Sequence, residues 1–76
     1  MRIEILGPGC ANCDKLAQNT RQAVANLDVE AEVIKVTDIR EITSRGVLMT
    51  PALVVDGEVK SSGKVLTPAQ IRDLLV

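Results

Sequence analysis

The chain has 76 residues, 2 cysteines, no histidine and no aromatic side chain, with a formal net charge of -1. Lacking histidine, it has no His general base, no Ser-His-Asp or Cys-His apparatus and no histidine-containing metal site. Lacking a basic run or an aromatic stacking platform, it gives no reason to expect nucleic acid as a partner. A single domain over residues 1–76 is what such a length accommodates, its core must be aliphatic, and any chemistry has to come from Cys, Asp, Glu, Lys or the backbone.

Residues 2 to 6 (Arg-Ile-Glu-Ile-Leu) read as a strand, stopped by Gly7-Pro8-Gly9. Glu4 interrupts the apolar opening, so it does not read as a secretory signal, and no apolar run approaches the roughly 20 residues that cross a bilayer. A cytoplasmic protein without a membrane partner is the expectation. From about Ala11 to Leu27, Leu16, Ala17, Thr20, Ala23, Val24 and Leu27 recur at helical spacing, with Asp14, Lys15, Gln18, Arg21 and Gln22 on the other side. Residues 31 to 36 form a second strand. Asp38, with Glu41 three places on, makes a capping-box-like start to a short helix ending at Gly46.

Thr50-Pro51 precedes Ala-Leu-Val-Val, an apolar run suited to a buried central strand. Asp56-Gly57 is a hairpin signal, so residues 58 to 61 are expected to return antiparallel as a polar edge strand. Thr67, Pro68 and Gln70 supply an N-cap, a first-turn proline and a capping-box partner for a last helix whose Ile71, Leu74 and Leu75 face the core. The element order is βαβαββα, with two right-handed parallel crossovers followed by a hairpin and a closing helix.

The two cysteines stand as Cys10-Ala-Asn-Cys13, where the loop model gives a bridge little structural value. In a reducing compartment that leaves redox chemistry or metal binding. Cys10 lies at the start of the first helix, where free amides and the helix dipole stabilise an anion, so its thiol is expected to ionise below the ordinary value. Cys13 shares the inward face of Leu16 and Ala17, which makes it the shielded partner that resolves a mixed disulfide. A soft-metal carrier for Cu(I) or Zn(II) is the alternative use of two thiolates. Small metallochaperones, however, place Met two residues before the first Cys, where this chain has Pro8.

The succession of a strand, Gly7-Pro-Gly-Cys10-Ala-Asn-Cys13, a helix, then Met49-Thr50-Pro51 leading into a strand and an Asp-Gly hairpin resembles the thioredoxin superfamily over essentially the whole chain. The likeness is strongest to its small, glutaredoxin-sized redox-active disulfide proteins. It implies an α/β fold with a four-stranded mixed sheet and helices on both faces. It further implies that Cys10 and Cys13 are catalytic, that Pro51 is cis beside the disulfide, and that the Thr50 main chain pairs with a substrate peptide. The implied function is a monomeric dithiol-disulfide oxidoreductase that needs no cofactor or metal, acts on protein disulfides and is recharged by a thioredoxin-reductase-like electron donor.

The chain also departs from its relatives' patterns. Gly9 stands where thioredoxins carry Trp, and Ala11-Asn12 replaces both Gly-Pro and Pro-Tyr. Leu6-Gly7-Pro8 and Ser61-Ser62-Gly63-Lys64 match neither part of a glutaredoxin's glutathione site, so protein disulfides are the expected substrates. Without a flanking Trp, the groove is expected to be shallow and aliphatic, shaped by Leu6, Met49 and Pro51. Glu4 stands six residues before Cys10, the offset at which thioredoxins hold a proton-accepting acid. The competing reading is a carboxylate on a partly wet sheet face, paired with an Arg or Lys.

Overall fold

The computed structural model describes residues 1–76. Its elements are β1 (Arg2–Leu6), α1 (Ala11–Leu27), β2 (Glu32–Val36), α2 (Ile39–Ser44), β3 (Ala52–Val55), β4 (Glu58–Ser62) and α3 (Pro68–Leu75). The strands form one mixed sheet in the order β2-β1-β3-β4. β1 runs parallel to β2 and antiparallel to β3, and β3 runs antiparallel to β4.

Alternation along β1 divides the core in two. Ile3 and Ile5 join Leu16, Ala17 and Ala23 of α1, Leu53 and Val55 of β3, and Ile71 of α3 in one buried cluster. Leu6 joins Ile42 of α2, Val47, Ala52 and Val54 in a second cluster on the opposite face. Helices therefore cover both faces, α1 and α3 on one and α2 on the other. Thr20, fully buried in α1, satisfies its hydroxyl by donating to Leu16 O at 2.7 Å.

Several local expectations hold. Asp56 and Gly57 both have positive φ, 49° and 84°, as a tight hairpin turn requires, and Thr67 and Gln70 complete a reciprocal capping box. Others need correction. Only the first crossover is parallel. β3 pairs antiparallel with β1, so it starts at the end of the sheet where β2 leaves it, and the link through α2 joins neighbouring ends instead of returning along the sheet. The capping box at α2 is half made, because Asp38 accepts from Arg40 N at 2.8 Å while Glu41 turns to Arg45 instead. β4 runs one residue further than expected and carries an irregularity opposite Leu53 and Val54. Leu74 lies exposed, which leaves Ile71 as the buried residue of α3.

Candidate active site

The loop between β1 and α1 brings the cysteines to the C-terminal end of β1, an interior strand of the sheet. Cys10 is the N-cap of α1, extended at φ -77° and ψ 166°, and its Sγ accepts a hydrogen bond from Cys13 N at 3.2 Å. One of the free amides of the first helical turn is thus aimed at the Cys10 sulfur, where it would steady a thiolate. The two cysteines form a disulfide with their Cα atoms 5.1 Å apart. They differ sharply in access, since Cys10 is exposed and Cys13 is 1% exposed.

Gly7 makes this packing possible. A Cβ there would collide with Cys13 Sγ, lie 3.2 Å from Cys13 Cβ and stand 3.9 Å from Pro51 Cα. The bare backbone just after β1 therefore lets the buried Cys13 pack against it, with Pro51 also close by. Sequence reasoning treats Gly7 only as a strand stop; its close-packing role appears only once the fold sets β1 beside both neighbours.

The Thr50–Pro51 peptide bond is cis. Pro51 is buried and accepts from Gly63 N at 2.9 Å, whereas Thr50 is exposed and none of the backbone hydrogen bonds outside the helices and strands engages it. Beside Thr50 an open groove of about 240 Å³ runs between Pro8 and α2, walled by Ile39, Thr43 and Leu48. Leu48 is 91% exposed, and Met49, also exposed, lies against Gly63. The groove is mainly aliphatic, as expected, but none of Leu6, Met49 and Pro51 lines it. The alternation of β1 turns Leu6 into the α2-side core, where it is fully buried.

Glu4 is likewise on the α2 face, 3% exposed, so that face is not wet at this position. Arg45 grips the carboxylate with a two-pronged hydrogen bond, Nη1 donating to Oε1 at 2.9 Å and Nη2 to Oε2 at 2.7 Å, and Arg2 Nε lies 3.9 Å away. The Arg45 hydrogen bonds, reinforced by the charges of Arg45 and Arg2, hold the Glu4 carboxyl below the usual range despite its burial, and Arg45 is shifted upward in turn. The pairing reading of Glu4 is the one realised. Nothing in the sequence spacing marks Arg45 as the partner, 41 residues away. Elsewhere near the site, Lys35 pairs with Asp14 in the first turn of α1. No third Cys, Asp or Glu converges with the two cysteines into a metal-binding group.

A family model described as a thioredoxin domain matches residues 1–76. The chain is 41% identical over 75 residues to a thioredoxin of Methanothermobacter thermautotrophicus, covering 99% of this chain and 97% of that one. It is 36% identical over 73 residues to a thioredoxin of Methanocaldococcus jannaschii, covering 96% and 84% respectively.

Proposed function

The chain belongs to the thioredoxin domain family and is a dithiol-disulfide oxidoreductase; from that premise we propose that Cys10 attacks, Cys13 resolves, and Thr50 and Pro51 hold the substrate. The observation that carries the assignment is the asymmetry of the pair, one sulfur exposed at a helix N-cap and the other buried one turn inward.

The Cys10 thiolate attacks one sulfur of a protein disulfide, forming a mixed disulfide as the other substrate sulfur leaves as a thiolate. Cys13 then loses its proton, attacks Cys10 Sγ and displaces the second substrate thiolate. Two electrons pass to the substrate, and the chain is left with the Cys10–Cys13 disulfide. A reductase-type electron donor returns it to the dithiol. Thr50 supports the substrate role because its exposed main chain is free to pair with an extended peptide. The neighbouring aliphatic groove then takes an apolar side chain flanking the substrate cysteine.

All these groups come from one chain, so a monomer suffices. A cytoplasmic setting, which keeps thiols reduced, fits a dithiol that must be regenerated, and no helix is long and apolar enough to cross a membrane. The soft-metal carrier is not favoured, since both relatives are thioredoxins.

Titration in glutathione redox buffers, with alkylation and mass spectrometry at each point, tests this reading. The expected result is a reversible two-electron transition confined to Cys10 and Cys13, together with reduction of insulin by the dithiol form. Absence of the reversible intramolecular disulfide, or a dithiol that leaves insulin oxidised, would contradict it.

A further inference from the structure

The exchange chemistry leaves one buried charged side chain unused. Glu4 stands in β1, the strand flanked by β2 and β3, and its carboxylate is 4% exposed and fully occupied by the Arg45 fork. Its place in the alternation turns it to the α2 face, with Leu6. The buried Cys13 instead sits in α1, which covers the other face, packed against Gly7. A carboxylate aimed away from the α1 side and already gripped by a guanidinium is poorly placed to take a proton from Cys13.

What the fork does hold is a piece of chain. Arg45 is the residue at which α2 ends, and the six that follow are Gly46, Val47, Leu48, Met49, Thr50 and Pro51. Of residues 46 to 50, Val47 alone is buried. At the far end Pro51 is fixed by Gly63 N and by the start of β3. At the near end the segment is tied to the sheet by Arg45 on Glu4, steadied by Glu41 at 3.3 Å from the same guanidinium, and by Val47 packed with Leu6, Ala52 and Val54. Leu48 of the groove wall and the free main chain of Thr50 lie between these two anchors.

We propose that Glu4 and Arg45 are positioning residues: their buried ion pair ties the segment 45–51 to the sheet and so sets Thr50 and Leu48 at the distance from Cys10 that a protein substrate requires. The proposal rests on the reading of Thr50, Pro51 and the groove as the protein-substrate site. It separates two kinds of substrate, because a small disulfide needs only the Cys10 sulfur whereas a protein disulfide also needs the groove and the Thr50 backbone.

The test compares rate constants of the reduced full-length chain toward insulin and toward 5,5′-dithiobis(2-nitrobenzoate). The double variant Glu4→Leu/Arg45→Met removes the fork without leaving one charge buried alone. Loss of positioning is expected to slow the insulin reaction about tenfold while the small-disulfide rate stays within about twofold and the midpoint in glutathione buffers is unmoved. Arg45→Lys, which keeps the charge but not the two-pronged geometry, is expected to fall between; it also carries the comparison alone if the double variant does not fold. Equal slowing toward both disulfides, a shifted midpoint, or an unchanged ratio would overturn the proposal. An unaltered chain that reduced the small disulfide and left insulin oxidised would overturn the protein-substrate reading itself, and this proposal with it.

Discussion

On one face of the sheet, two helices and eight buried apolar side chains meet without a charged group among them; on the other, a six-residue helix covers five buried apolar residues and an ion pair. The first face anchors α1 through Leu16, Ala17 and Ala23, and with it the N-cap where Cys10 sits and the inward turn that buries Cys13. The second ends in an open groove and an exposed loop. The larger, wholly apolar cluster thus lies behind Cys10, and the smaller cluster with its ion pair lies behind the proposed substrate surface. On the proposed reading, reactivity and recognition are held by different parts of a very small molecule.

The sharpest way to break this comparison is Leu16→Ala. Leu16 is fully buried in the larger cluster, and its truncation is expected to cost about 3 kcal/mol in denaturant unfolding. That is a large share of the roughly 4 to 11 kcal/mol ordinary for a chain of this length. The molecules that remain folded should still attack a small disulfide at nearly the unaltered rate. Ile42→Ala, in the smaller cluster, is expected to cost about 2 kcal/mol because a short helix relaxes more readily into the space. Unlike the first variant, it should also lower the ratio of insulin to small-disulfide rates, since Ile42 supports the groove. Leu48→Glu should leave stability within about 0.5 kcal/mol, as Leu48 is 91% exposed. A several-fold slowing toward insulin is its expected signature, and an unchanged insulin rate would remove Leu48 from the recognition surface.

The smallest effect is in the acid limb of stability. The Arg45 hydrogen bonds hold the folded-state pKa of Glu4 below its unfolded value, so between the two values the unfolded chain binds more protons. Stability from this group is therefore complete above the ordinary glutamate value, about 4.3, and is lost as pH falls from there through the lower folded value. Urea unfolding followed as a function of pH should show a shallower acid decline in Glu4→Gln than in the unaltered chain. An identical decline would mean that the pair contributes nothing to the stability of the α2 face.

Much of this was legible because local signals agreed with the fold. The apolar spacing of Leu16, Ala17, Thr20 and Ala23, the Asp56-Gly57 turn and the Thr67 cap each encode a short-range preference, and the placement of Cys10 and Cys13 follows from where α1 starts. What escaped depends on distant pairs. The antiparallel entry of β3 is settled by its pairing with β1, far away in the chain. Leu6 reads as a groove residue until the pleat of β1 is fixed against β3. Gly7 acquires its packing role only where Cys13 and Pro51 converge on it, and Arg45 becomes the partner of Glu4 only across two elements.

The assignment of attack to Cys10 and resolution to Cys13 is tested most directly by trapping. The reduced Cys13→Ser and Cys10→Ser variants, each mixed with insulin and quenched with acid, are compared by mass spectrometry for mixed disulfides. The structure predicts that Cys13→Ser accumulates a covalent adduct on Cys10 and that Cys10→Ser, left with the sulfur that is 1% exposed, accumulates almost none. Equal adducts on both, or more on Cys13, would contradict it.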